Sequence, residues 1–321
     1  PTEAKFANLK VLYTKARVPY EQTEPLRAAN GPIDTGADAV EGRLNAWPLS
    51  ENYVDYVKGP EGDSLTGIIN DTVQFPDITK EVLVANHESG GESNLTLGYH
   101  VIEFLLWGQD LNPDSARNSA GQRKYTDYTT KVNHERRKAY LKAATDILVQ
   151  DLAYLVDQWR TGGTYRTKFL AQSDAENLSN AFSGIAWFCA GELPTERMFK
   201  AVQNADQEEE HSCFSDLTDR DIKLSMLGVS NLLNGHYNPD EQLPNKGLLK
   251  VLQARNPQGA QQVIDLFSIA YSDCEKIPAP FDQAIINESA TVVKAKNSII
   301  AFSNKLQEVC TSVGITMNIP E

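Results

Sequence analysis

The chain has 321 residues, 41% of them hydrophobic and 23% charged, which places it among folded globular proteins rather than disordered ones. Its formal net charge of −13 argues against nucleic acid as a partner, because the phosphates would be repelled. No stretch approaches the roughly 18 apolar residues that a membrane-spanning helix needs. The opening PTEAKF shows no targeting segment, so one was either absent or removed.

Taken in chain order, residues 1–30 read as helical, with interruptions at Pro19 and Pro25. Residues 31–90 are rich in glycine and proline, which limits helices there to short pieces around 38–45 and 50–57. Residues 81–85 form a strand candidate. Helix returns over 93–107, and a longer one is expected over 124–160. Its stripe of Leu141, Ala144, Leu148, Leu152, Leu155 and Trp159 has the spacing of one helix face. Gly162-Gly163 ends it and marks the domain boundary. Residues 174–204 are helical in period, with a kink expected at Gly191 and Pro194. Helices over 219–233 and 256–276 follow. The last helix places Ile285, Val292, Ile299, Leu306 and Val313 at every seventh position, a bundle-packing pattern. Fold class is therefore all-α, with one helical bundle over 1–163 and a second over 164–321.

Four cysteines, Cys189, Cys213, Cys274 and Cys310, are widely spaced and lack a C-x-x-C pattern. Both disulfides and buried thiols are open to them.

One string carries the chemistry. In Gly98-Tyr99-His100-Val101-Ile102-Glu103, the imidazole and the carboxylate are three residues apart, so both reach one point beside the helix. Apolar neighbours on every side predict burial, and an unpaired buried Glu103 would cost several kcal/mol. The pair therefore either binds a metal or closes on itself inside the core. His87-Glu88 and His134-Glu135 begin like H-E-x-x-H, but Gly91 and Lys138 stand where the second histidine should be. Glu192, Glu196 and Arg197 flank the expected kink and read as an internal salt bridge. Glu208, Glu209, Glu210 and His211, followed by Ser215 and Asp216, read as a solvated helix end or a metal-friendly cluster.

Four strings in order resemble the imelysin family: ARVPYEQTE, EGRLNAWPLSENYVDYV, GYHVIEFLLWGQD and GELPTERMFKAVQNADQEEEHSCFSDLTDRD. The third matches that family's G-x-H-x-x-E motif through Gly98, His100 and Glu103. The resemblance implies two four-helix-bundle-like domains with a polar site between them. It also implies a bacterial protein of the periplasm or outer-membrane surface, connected with iron uptake and an associated membrane partner. A metal ion, iron or zinc, or an iron-containing small ligand is the implied cargo. His100, Glu103 and Asp216 are then the metal-ligand candidates. Glu41, Arg43, Glu192, Arg197, Glu210 and His211 line the same pocket, with Arg43 and Arg197 as charge partners. Two alternatives accompany this reading. One is a zinc metallopeptidase with Glu103 activating water; the other is a non-catalytic module that binds a peptide or partner. The family usually carries a further helix before PTEAKFANLK, so a trimmed or nicked N-terminus is expected.

Overall fold

The computed structural model describes residues 2–111, 120–238, 241–242 and 246–319. Among the described residues its regular structure is helical, apart from two short antiparallel hairpins. The all-α expectation holds. The chain divides into two compact units. The first comprises Pro1–Lys15, Gly36–Gly163 and His211–Ser215; the second comprises Ala16–Thr35, Thr164–Glu210 and Asp216–Glu321. The division crosses the chain at Gly163, but two segments are exchanged, and one of its boundaries falls inside helix α1 (Glu3–Glu21).

In the first unit the short helices α2 (Glu41–Asn45) and α3 (Glu51–Val54) precede a hairpin of β1 (Val57–Gly59) and β2 (Gly62–Ser64). Then come α4 (Gly67–Asn70), α5 (Lys80–Asn86), α6 (Tyr99–Trp107) and the long α7 (His134–Trp159). Helices α2, α4, α5 and α6 all pack on α7. Residues 81–85 are helical rather than extended. The Thr79 hydroxyl accepts a hydrogen bond from the Val82 N–H and caps α5, and only Leu83 is buried in that helix. Helix α7 starts later than its apolar pattern suggests, because Asn133 is left-handed (φ 60°) and Tyr125–Tyr128 forms a 3-10 turn. Its buried face runs through Tyr140, Ala144, Ile147 and Asp151, whereas Trp159 is exposed. A buried ion cluster fixes α7 against the end of α3. Asp55 accepts from Arg137 Nε at 2.6 Å and Nη2 at 2.8 Å, and from Arg123 Nη1 at 2.5 Å.

In the second unit, α8 (Thr164–Ala171) and α9 (Asp174–Trp187) lead into a π-helical segment, Phe188–Phe199, and then α10 (Lys200–Asn204). The expected interruption at Gly191 and Pro194 falls within this run of wide turns. Proline has no N–H to give, and π-type bonding accommodates the missing donor without breaking the helix. Helix α11 (Thr218–Asn234) ends at Gly235, which is left-handed at φ 73°. A hairpin of β3 (His236–Asn238) and β4 (Glu241–Gln242) follows, then α12 (Leu249–Arg255), α13 (Pro257–Glu275), α14 (Phe281–Asn287) and α15 (Ser289–Ser312).

The seven-residue repeat is real, but two helices share it. Ile285 belongs to α14, and Val292, Ile299 and Leu306 form the buried stripe of α15. That stripe packs on α13 and the π-helical segment, with Phe267 edge-on to Phe302 at 5.2 Å between ring centroids. All four cysteines are buried free thiols.

Candidate functional site

Helix α6 is buried along its whole length, His100 and Glu103 included. It begins so abruptly because Gly98 has φ 99°, and a Cβ there would lie 2.9 Å from the Leu44 carbonyl oxygen. Only glycine lets the start of α6 approach the end of α2 this closely. Asn45 and Trp47, which follow Leu44, come against His211, whose ring neighbours that of His100.

The Glu103 carboxylate accepts four hydrogen bonds, two on each oxygen. Oε1 receives the Ser215 N–H (2.9 Å) and hydroxyl (2.6 Å); Oε2 receives the Tyr13 hydroxyl (3.3 Å) and faces His100 Nδ1 (3.0 Å). A carboxylate is acceptor-only, so the proton of the last bond sits on Nδ1. Tautomer and ring orientation follow. Nδ1 carries hydrogen, and the lone pair of Nε2 is presented away from Glu103. The burial cost of the charge is offset by charge-assisted hydrogen bonds rather than by a guanidinium.

His211 arrives from the short segment His211–Ser215, which folds with the first unit. Its ring lies 4.6 Å from that of His100, at 74° between planes, and 6.0 Å from that of Trp47. Its Nε2 is 3.5 Å from Asn45 Nδ2. The structure thus places two buried imidazoles side by side, one of them oriented by a carboxylate.

The family profile described as Peptidase M75, Imelysin, matches residues 1–306. The chain belongs to the imelysin family. A solved structure described as an iron-regulated protein A precursor from Parabacteroides distasonis ATCC 8503 shares the fold of this imelysin-family chain, with a TM-score of 0.72 at 15% identity. The alignment covers 97% of this chain and 84% of that one. No curated protein matches.

The other residues singled out in this imelysin-family sequence go to several places. Arg43 forms a bidentate pair with Asp151 on α7, Nε–Oδ2 2.9 Å and Nη2–Oδ1 2.7 Å. It is a charge partner of Asp151, not of Glu103. Glu41 sits half-buried in the first turn of α2. Arg197 and Glu192 join a buried ion cluster of the second unit. There Arg197 pairs with Glu24 and, at 3.0 Å, with Glu192, while Arg27 reaches Glu192 at 3.3 Å. Arg17 pairs with Glu21 and, at 2.7 Å, with Asp221 in the same unit. Burial pushes the Glu21 carboxyl well above its ordinary range. For Glu24 burial acts the same way, but Arg197 and Arg27 outweigh it and hold the group below its usual value. The internal salt bridge read from the sequence at Glu192 and Arg197 is therefore present, and larger than the sequence showed. Glu210 is buried, and Asp216 is left-handed at φ 55°; both fold with the second unit.

The failed H-E-x-x-H matches have structural roles. His87 Nε2 faces the Gly42 carbonyl at 2.9 Å and its Nδ1 accepts from the Thr96 N–H at 3.2 Å, while His134 lies beside Glu135 near the surface. Tyr13 was not legible as a site residue. Its only signal was the stripe Phe6, Tyr13 and Tyr20, seven residues apart on α1.

Proposed function

We propose that this chain is a metal- or iron-ligand-binding protein of bacterial iron uptake, held at the periplasm or outer-membrane surface. In this reading His100 Nε2 is the anchoring ligand, His211 the second imidazole, and Glu103 the group that orients His100. The observation that supports it is the closed set of bonds around Glu103, which fixes the imidazole tautomer that a metal requires. The family membership and the iron-regulated protein of like fold bear on it in the same direction. The metal would be held through two imidazole nitrogens and would supply affinity for an anionic or neutral donor completing its shell. Zinc and ferrous iron titrations of the purified protein test this. Binding of about one equivalent is expected, lost in His100→Ala and strongly weakened in His211→Ala, with helicity retained by circular dichroism. Equal affinity in all three proteins would sink the proposal.

The zinc peptidase reading needs a carboxylate with a lone pair ready to take a proton from water. Glu103 already accepts four donors on two oxygens, so its geometry favours positioning over proton transfer.

A further inference from the structure

At the far end of α6 from His100, the first unit has a half-open cavity of about 480 Å³. We propose that this cavity binds a small polyanion bearing carboxylate or phosphate groups. Among the described residues, four cations line it, Lys58, Arg123, Lys124 and Lys131, against two carboxylates, Asp110 and Asp127. In a chain whose formal net charge is −13, cations thus outnumber carboxylates among the described lining residues.

The pairings inside the lining show which charges face a ligand. Asp127 accepts from the Tyr56 hydroxyl at 2.6 Å and lies 3.4 Å from Arg123 Nη1, so its charge is taken up in the wall. Arg123 is buried, is bonded to Asp55, and sits over the rings of Tyr56 (5.1 Å) and Phe104 (5.0 Å) as a fixed floor. Lys131 lies against Tyr56 and pairs with Asp63 at 2.6 Å. Lys58 and Lys124, both exposed, make no ion pair among the described residues. They are the cations left to meet a ligand. Beside the lining, Lys10 lies 5.1 Å over the Trp107 ring. Burial lowers its pKa, and the charge of Arg123 lowers it further.

One effect opposes an anion here: the C-terminus of a helix carries partial negative charge. The carbonyls at this end are, however, already bonded. Phe104 O accepts from the Gly108 N–H, Leu105 O from the Tyr128 hydroxyl, and Trp107 O from the Arg123 N–H at 2.7 Å. These donors mute the helix end, and the lysines then set the sign. The volume suits a small organic molecule, and Trp107 is among the lining residues.

The test is calorimetric titration of the full chain with citrate and, separately, with pyrophosphate, at low ionic strength. Reversing two exposed charges near a ligand is expected to weaken binding at least about tenfold. The double variant Lys58→Glu/Lys124→Glu should show that loss, whereas Lys246→Glu/Lys250→Glu, with the same net charge, should stay within about twofold. Circular dichroism confirms that both variants remain folded. Citrate binding alone would identify carboxylate chemistry and pyrophosphate alone phosphate chemistry, either one supporting the site. No saturable binding of either probe at millimolar concentration, or an equal loss in the control pair, overturns it.

Discussion

Replacing Glu103 by glutamine is the most discriminating single change in the first unit. The side chain keeps its size, but one oxygen becomes an NH₂. The Ser215 backbone N–H cannot turn away, so the amide oxygen must remain where it accepts at 2.9 Å. The NH₂ then occupies the place of Oε2, facing Tyr13 and His100. The tyrosine hydroxyl can rotate to accept. The imidazole can accept only if its proton moves from Nδ1 to Nε2. Charge-assisted bonds become neutral ones, at about 1 kcal/mol each, while the desolvation cost of the carboxylate disappears. Net stability should therefore move by no more than about 2 kcal/mol in urea unfolding. Metal affinity should fall about 10- to 100-fold, the usual effect of losing a carboxylate behind a ligating histidine. Nitrogen-15 NMR of the His100 ring reads the tautomer directly. A ring still protonated at Nδ1 in Glu103→Gln, or an unchanged metal affinity, would refute the reasoning.

Three further outcomes are expected. Asp55→Ala strands Arg123 and Arg137 in the core and should cost about 3–5 kcal/mol, read as a lower urea midpoint. Gly228→Ala would put a Cβ 2.3 Å from the Gln22 carbonyl oxygen, backbone against backbone, and should destabilise by about 1–3 kcal/mol by thermal melting. For Asp273, burial alone would raise the pKa, but hydrogen bonds from Lys294, Ser298 and Lys276 outweigh it and hold the carboxyl at about 2. A depressed folded pKa contributes stability above the unfolded value of about 3.9 that is lost as pH falls toward 2. After allowance for the exposed lysines, that contribution is about 1–2 kcal/mol. Asp273→Asn should remove it at neutral pH and flatten acid unfolding between pH 4 and pH 2; an unchanged acid limb would count against it.

Helical period and local spacing were legible in the sequence because they depend on residues within a few positions of each other. The stripe of α15, the end of α11 at Gly235 and the shared face of His100 and Glu103 are of this kind. Where the backbone answered to something else, the reading slipped. Thr79 and a single buried leucine made a helix of an alternating-looking run, and the segment around Pro194 took up π-helical turns that its period does not show. The ordered family strings singled out α6 as the helix of the candidate site. They did not distinguish the roles of Arg43 and Arg197, since each guanidinium pairs with whatever carboxylate the packing brings near it, Asp151 for one and Glu24 with Glu192 for the other.

The sequence by itself determined that His100 and Glu103 meet, because i,i+3 geometry is a property of one helix. Only the tertiary structure decided what that meeting is. Tyr13 comes from 90 residues before Glu103 and Ser215 from 112 residues after it, and their bonds saturate the carboxylate. His211 reaches His100 only because a five-residue segment, His211–Ser215, folds with the first unit. Such long-range placements are set by the packing of apolar faces over the whole unit, and no local pattern encodes them.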